Sequence, residues 1–192
     1  MEIFEARCKI KDISNARNEA EKIGGIFKGY YYCTDIIFKN VENSDSEKGI
    51  INSEKGIINS EKGIIRLRVF KINNRQTKNF IFIHKIAEWE DKIKVDRIIL
   101  KERFDTIKEA LDFMIEHYGN NLKDDYEYSR EGWEYHLDKS GIFIENIEKL
   151  GPTIEIEAES KRDLENLLKL FETTECFSEP TPEIMRKLLR KY

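Results

Sequence analysis

Charged residues occupy alternate positions in several segments of the chain. Alternate residues of a β-strand point to the same face, so each segment would present its charges on one side of a sheet. The acidic residues could bind a hard divalent cation, Mg²⁺ or Mn²⁺, which prefers carboxylate oxygens. The arginines could bind phosphate groups, whose oxygens match the planar guanidinium fork. These segments contain Glu5, Arg7 and Lys9, then Arg66 and Arg68, and then Glu155 and Glu157.

The signs of these charges are segregated rather than mixed. Arg66 and Arg68 would lie about 7 Å apart on one strand and, if desolvated, would repel each other by roughly 2 kcal/mol. Glu155 and Glu157 form an equivalent acidic pair. One interpretation is the solvated face of a sheet that helices cover on its other side. The alternative is a ligand that compensates both signs, with a polyanion at the arginines and Lys85 and a cation at the glutamates.

Hydrophobic periodicity and capping residues divide the chain into strands and helices. The predicted strands are Met1–Ile10, Tyr30–Phe38, Ile64–Ile72, Asn79–Ile86, Ile93–Phe104, Tyr126–Arg130, Glu134–Leu137, Gly141–Ile147 and Thr153–Glu159. The helices are predicted to begin at Asp12 or Ser14, at Thr106, at Ser160 and at Thr181. Hairpin-length links between the later strands predict an α+β fold with an antiparallel sheet. A sheet closed on itself, charged inside and apolar outside, would give these helices a surface to cover.

The composition limits the class of protein. The 192 residues suffice for a single domain, taken as residues 1–192. Since 33 Lys and Arg face 37 Asp and Glu, the net charge of −4 disfavours nucleic acid as a partner. No apolar run reaches membrane-spanning length and no signal-peptide core is present, so no membrane association is expected. The odd number of cysteines (Cys8, Cys33 and Cys176), without a CxxC motif, favours a reducing cytoplasm over a disulfide framework.

A short tandem repeat interrupts the pattern of strands. The heptapeptide SEKGIIN occurs at residues 46–52 and 53–59 and begins again at residue 60. Each copy contains a glycine and only two adjacent apolar residues, so a coiled coil is not expected. Long surface loops cost little, because loop-closure entropy grows only logarithmically with length. We therefore interpret residues 41–63 as a loop insertion without a role in chemistry, the alternative being a short hairpin.

The order of the motifs along the chain resembles the CYTH group, also called triphosphate tunnel metalloenzymes. This group includes class IV adenylate cyclases, thiamine triphosphatases and inorganic triphosphatases. The resemblance extends from Met1 to about Leu189. The matching segments are Ile3–Arg7, Ile23–Gly25, Asp35–Phe38, Arg66–Arg68, Lys85, Arg130, Glu145–Gly151 and Glu155–Glu157. Each segment alone is a weak signal, whereas their order, spacing and placement on strands form a strong one.

The resemblance implies an eight-stranded antiparallel β tunnel with a charged lumen, covered outside by about four helices. It implies a divalent metal, Mg²⁺ or Mn²⁺, whose ligands would be Glu5, Glu145, Glu155 and Glu157. It also implies phosphate-binding residues, namely Arg7, Lys9, Arg66, Arg68, Lys85, Arg97 and Arg130, with Lys85 and Arg130 acting in catalysis. Phosphoryl transfer needs mainly positioning and charge stabilisation, so no nucleophilic side chain is required.

Several positions depart from the motif pattern, among them Glu145, where Asp is commoner, and Ile99 and Lys101, where acids are frequent. Ile3 stands where the family commonly has a first Glu, and Tyr128 replaces a Lys of the basic strand. We therefore expect one metal site built on Glu155 and Glu157, with a second site weakened. Calorimetric titration of Mg²⁺ or Mn²⁺ in the presence of tripolyphosphate would test this expectation.

Three functions remain open on the sequence. The first is metal-dependent cleavage of a phosphoanhydride bond in tripolyphosphate, a nucleoside triphosphate or thiamine triphosphate. The second is a class IV adenylate cyclase, in which the ribose 3′-hydroxyl of ATP attacks the α-phosphorus and gives cyclic AMP and pyrophosphate. The third is a tunnel that binds polyphosphate or a nucleotide without turnover. A triphosphatase is favoured because no motif for base or ribose recognition is evident, and the expected assembly is a monomer or a homodimer.

Overall fold

The computed structural model describes residues 3–40, 63–72, 79–90 and 92–189. Nearly all of the predicted loop insertion, residues 41–62, lies outside this described part, so its interpretation stays a prediction. The strands are β1 (Ile3–Ile10), β2 (Ile26–Asn40), β3 (Ile64–Ile72), β4 (Asn79–Glu90), β5 (Ile93–Phe104), β6 (Leu122–Leu137), β7 (Ser140–Ile147), β8 (Gly151–Ala158) and β9 (Thr173–Cys176). The helices are α1 (Ile13–Lys22), α2 (Ile107–Tyr118), α3 (Lys161–Leu168) and α4 (Thr181–Leu189).

Every strand pair is antiparallel, and the sheet curls until its ends meet. Its strand order is β5-β4-β3-β2-β6-β7-β8-β1-β9, and β5 also pairs with β1. This last pairing covers only three residue pairs, from Ile3–Asp96 to Glu5–Lys94. The other half of the same β1 edge pairs with β9. Eight strands therefore form a ring with a short closure, which confirms the predicted α+β antiparallel tunnel, and β9 is an addition to it.

The predicted helix starts agree with the structure. Asp12 caps α1 by accepting hydrogen bonds from the backbone N–H groups of Ser14 and Asn15. Thr106 and Glu109 form the predicted capping box of α2, and Ser160 caps α3.

One pair of predicted strands is a single strand in the structure. The segments Tyr126–Arg130 and Glu134–Leu137 belong to the 16-residue strand β6, which pairs with β2 along almost its whole length. The prediction of a break was wrong because Gly132 signals a close approach rather than a turn. A Cβ atom on Gly132 would lie 2.7 Å from the ring hydroxyl of Tyr31, so only glycine admits this contact.

Three helices cover the apolar outer face of the ring, whereas α4 lies elsewhere. α1 and α3 pack on β1, β7 and β8, and α2 packs on β3 and β4. By contrast, Met185 of α4 is fully buried against Ile37, Tyr128 and Ile147. These three residues share strand faces with Asp35, Arg130 and Glu145 respectively, which are the charged inner faces. α4 therefore closes one end of the lumen, whereas the other three helices cover the outside of the ring as predicted. None of the helices in the described residues is both long and apolar enough to span a membrane.

Two of the three cysteines form a disulfide, which corrects the expectation from the cysteine count. Cys8 and Cys176 face each other across the β1–β9 pair and are bonded, although 168 residues separate them. Cys33 is a buried free thiol. The sequence could not show this pairing, because β9 was not predicted and connectivity cannot be read from spacing alone. The cysteine pattern consequently no longer supports a cytoplasmic location.

Reduction of this disulfide is expected to lower the free energy of unfolding by about 2–5 kcal/mol, because the bond restrains a long stretch of the unfolded chain. Urea denaturation with and without a dithiol reductant measures the effect. The Cys8→Ser/Cys176→Ser variant is the matched control, since the reductant should leave its curve unchanged. An unchanged wild-type midpoint, with complete reduction verified by thiol titration, would contradict the prediction.

Candidate active site

One cavity inside the ring collects charged side chains from six strands. Its charged lining comprises Glu5, Arg7, Arg66, Arg68, Lys85, Lys94, Arg130, Glu155 and Glu157. Pro180, Thr181 and Pro182 contribute the first turn of α4 and the residue before it. The alternating charges of distant segments thus face one shared lumen, because each segment directs its apolar residues to the helices outside.

Three glutamates form an acidic group on adjacent strands. Glu5 and Glu157 lie directly opposite each other in the β1–β8 pair, and Glu155 is two residues from Glu157 on β8. Each offers a carboxylate oxygen within 4.8 Å of the others. Burial raises the pKa of Glu157 from 4.5 to about 8, with further contributions from Glu155 and Glu5. Such mutually repelling, desolvated carboxylates are suited to a hard divalent cation.

This raised pKa predicts how stability depends on pH in the metal-free protein. The folded chain holds the proton of Glu157 more tightly than the unfolded chain does. Its contribution to stability is therefore complete below pH 4.5 and is lost as the pH rises through about 8. In thermal melts from pH 5 to pH 9, the melting temperature of Glu157→Gln is expected to rise relative to that of the wild type as the pH increases. Parallel curves for the two proteins would show that Glu157 titrates normally.

A second group lies around Asp35, which is completely buried on β2. Arg68 donates to it through two nitrogens, with Nε 2.7 Å from Oδ1 and Nη2 3.0 Å from Oδ2. Arg130 Nη2 and the Tyr128 hydroxyl each lie 3.1 Å from Oδ2, and Arg66 Nη1 lies 3.4 Å from it. A single carboxylate therefore orders three guanidinium groups, which limits the entropy cost of arranging them around a bound anion.

Glu145 belongs to a third group and not to the acidic cluster. Arg7 donates to Glu145 and also to Glu155, and Arg130 Nη1 lies 3.2 Å from a Glu145 oxygen. The Tyr31 hydroxyl also donates to Glu145. Burial and the neighbouring Glu145 raise the pKa of Tyr31 well above its ordinary value, so the phenol stays protonated as a donor. These contacts use the Glu145 oxygens to orient arginines, and Glu145 therefore has no place in the metal site that we propose below.

Two buried nitrogens of the lumen lack a hydrogen-bond partner among the described residues. They are Nε of Arg7 and Nε of Arg66, on residues that are 4% and 9% exposed. A buried N–H group without a partner costs free energy, and a phosphate oxygen would supply the missing acceptor. These atoms make the basic part of the lumen suitable for a phosphorylated ligand.

The structure does not bring every predicted site residue to the lumen. The Lys9 side chain is 39% exposed and forms an ion pair with Glu175 at 3.2 Å, at the end of β1 that pairs with β9. The side chain of Arg97 lies outside the described residues, so its predicted role stays a prediction. Lys85 is buried and lines the cavity, and its predicted role in phosphate binding stays a prediction.

Three residues of the site were not identified from the sequence. Asp35 was noted only as part of a motif, and its role follows from the register that places it opposite Arg68 and Tyr128. Lys94 is the one charged residue between two apolar residues at the start of β5, which was a weak signal. Tyr31 gave no signal, because aromatic residues are ordinary in strands.

Comparison with known proteins finds no sequence relative. No family model matches the chain, and no curated protein matches it. Several solved structures do match the chain. The three described below share 11–13% of its sequence.

The matching structures extend over nearly the whole chain. The PH1819 protein of Pyrococcus horikoshii OT3 is similar at a TM-score of 0.70 and 13% identity, with 99% of each chain covered. HpAC1 of Hippeastrum, an adenylyl cyclase candidate with a dominant triphosphatase activity, is similar at a TM-score of 0.64 and 12% identity, covering 97% of this chain and 96% of HpAC1. A candidate adenylate cyclase of Vibrio parahaemolyticus is similar at a TM-score of 0.64 and 11% identity, covering 96% of this chain and 97% of the cyclase chain. The chain therefore has the fold of these cyclase and triphosphatase structures, which confirms the fold that the sequence resemblance implied.

Proposed function

We propose that this chain is a triphosphate tunnel metalloenzyme that hydrolyses a phosphoanhydride bond of a triphosphate with the help of Mg²⁺ or Mn²⁺. The observation that carries the proposal is the shared lumen, in which a cluster of three glutamates faces a set of buried arginines and lysines. Clustered carboxylates are ligands for a hard cation, and converging guanidinium groups are ligands for phosphates. Their union in one cavity matches a metal–triphosphate complex better than either ligand alone.

The charge balance in and around the lumen supports a metal-bound polyanion. The cationic members are Arg7, Arg66, Arg68, Lys85, Lys94 and Arg130, and the anionic members are Glu5, Asp35, Glu145, Glu155 and Glu157. Six cations and five anions leave a net charge of only +1, which is too little to neutralise a bare triphosphate. The remaining positive charge would come from a divalent cation at the acidic cluster, which would also polarise the reacting phosphate.

The proposed roles follow from the position of each side chain. Arg66, Arg68 and Arg130, ordered by Asp35, would bind the oxygens of the phosphates that are not cleaved. Lys85 lies close enough to the acidic cluster for its positive charge to oppose part of the rise in the pKa of Glu157. It would therefore contact the phosphate nearest the cation. There its charge would stabilise the negative charge that develops during bond cleavage.

The lining favours a triphosphatase over a cyclase. Among the described residues that line the cavity, none is aromatic, so the lining has no aromatic ring to stack on a nucleotide base. Pro180, Thr181 and Pro182 bring only one side-chain hydrogen-bonding group, the Thr181 hydroxyl, to the cavity, which is little for recognising a base and a ribose. A compact substrate, inorganic tripolyphosphate, needs none of these contacts.

Product analysis tests the proposal. The purified protein is incubated with tripolyphosphate, ATP or thiamine triphosphate in Mg²⁺ or Mn²⁺, and phosphate, pyrophosphate and cyclic AMP are measured. Metal-dependent release of phosphate, fastest from tripolyphosphate, is the expected result. Cyclic AMP with pyrophosphate would establish the cyclase instead, and binding without any product would establish the non-catalytic tunnel. The Arg66→Ala/Arg68→Ala variant, purified identically, controls for contaminating phosphatases.

A further inference from the structure

A buried lysine lies within the acidic cluster. Lys94 on β5 is 4% exposed and faces Glu5, which is 6% exposed, across the three-residue pairing that closes the ring. Its ammonium group donates a hydrogen bond to a carboxylate oxygen of Glu5. A lysine is seldom this deeply buried unless it is paired, and here its partner is one of the three glutamates that we assign to the cation.

Lys94 changes the charge that is available for divalent cations. The cluster carries three carboxylates. Lys94 donates to Glu5 and Arg7 to Glu155, while Lys85, the proposed phosphate ligand, acts on Glu157 through its charge. With only the two donating cations counted, the net charge is −1, and it becomes +1 when one divalent cation binds. A second divalent cation would have to lie beside the Lys94 ammonium, in a desolvated site where like charges repel strongly. Ile3, on the same strand face as Glu5, offers no further oxygen ligand.

We propose that Lys94 takes the place of a second divalent cation beside Glu5, so that this lumen binds one divalent cation and not two. The proposal rests on the metal site of the proposed function. In this arrangement Lys94 is a positioning residue. It neutralises Glu5, keeps that carboxylate within reach of Glu155 and Glu157, and excludes a competing ion. Because lysine holds its charge without an external ligand, the single-cation state would not depend on a high metal concentration.

The stoichiometry of Mn²⁺ binding tests this proposal without relying on activity. Mn²⁺ alone, and then Mn²⁺ with tripolyphosphate, is titrated into the intact chain by calorimetry, with electron paramagnetic resonance to count bound ions. The wild type is expected to bind one Mn²⁺ per chain. Lys94→Met, which keeps most of the length of the side chain but removes its charge, is expected to bind a second Mn²⁺ or to bind the first at least about 10-fold more tightly. Lys94→Arg, which keeps the charge, is the matched control and should bind one.

The outcomes separate this proposal from the proposed function. Two Mn²⁺ ions per wild-type chain, coupled in the resonance spectrum, would overturn the role of Lys94 and leave the metal site intact. A folded Lys94→Met variant that binds Mn²⁺ with the stoichiometry and affinity of the wild type would also overturn the role of Lys94 and leave the metal site intact. A wild type that binds no Mn²⁺ even with tripolyphosphate would overturn the metal site and the proposed function together. If Lys94→Met fails to fold, the wild-type count and Lys94→Arg decide the question.

Discussion

Glu157→Ala is expected to reduce metal-dependent hydrolysis of tripolyphosphate by at least about 100-fold, since even residues that only support metal ligands contribute about 10–100-fold. The physical reason is the position of Glu157 between Glu5 and Glu155, where its loss removes one of three clustered carboxylates. Initial rates in saturating Mg²⁺ and Mn²⁺ measure the effect, and calorimetry should show weaker Mn²⁺ binding in parallel.

Glu159→Ala provides the matched control for this variant. Glu159 follows Glu157 by two residues but is exposed, and it forms an ion pair with Lys139 outside the lumen. Its loss should leave both rate and metal affinity near wild type, because exposed ion pairs contribute little. Equal rates for Glu157→Ala and the wild type would mean that the cation binds elsewhere.

Arg66→Ala/Arg68→Ala is expected to weaken tripolyphosphate binding by roughly 1,000-fold, if each lost charge-assisted hydrogen bond contributes about 2 kcal/mol. Arg66 also carries a buried Nε without a partner in the described structure, so the variant removes a vacant donor as well as charge. Asp35 retains Arg130 and Tyr128 as partners, which is why the fold should survive. Calorimetric titration with tripolyphosphate measures the affinity, and circular dichroism checks folding.

The double variant Arg103→Ala/Arg162→Ala controls for the loss of two positive charges. Both arginines are exposed and do not line the cavity. It should bind tripolyphosphate nearly as well as the wild type, with a small difference that salt removes. If the two double variants lose affinity equally, binding depends on net charge and the lumen assignment is wrong.

The sequence was a good guide wherever structure depends on near neighbours. Alternation in Glu155 and Glu157 placed both carboxylates on one strand face, and the structure agrees. The capping box at Thr106 and Glu109 marked the start of α2 correctly, since both hydrogen bonds lie within one turn. The errors arose where a local signal was ambiguous, as with Gly132, whose role depends on Tyr31 of another strand.

The sequence patterns could not predict which side chains the charged residues contact. Glu145 was predicted to bind metal together with Glu155, and only the structure shows that it lies outside the three-carboxylate group and contacts two arginines and Tyr31. Asp35 gathers donors that lie 31 to 95 residues away along the chain. A shift of one residue in register would turn each of these side chains to the opposite face, and no single strand encodes its register with another.

The sequence by itself determined that Arg66 and Arg68, and likewise Glu155 and Glu157, share a strand face, and it determined where the helices begin, because these properties follow from periods of two and of 3.6 residues within each segment. Only the tertiary structure decided that Lys94 meets Glu5, that Cys8 is bonded to Cys176 and that α4 closes one end of the lumen. The first two contacts join residues 89 and 168 apart along the chain, and they exist only once the curled sheet has brought β5 and β9 beside β1.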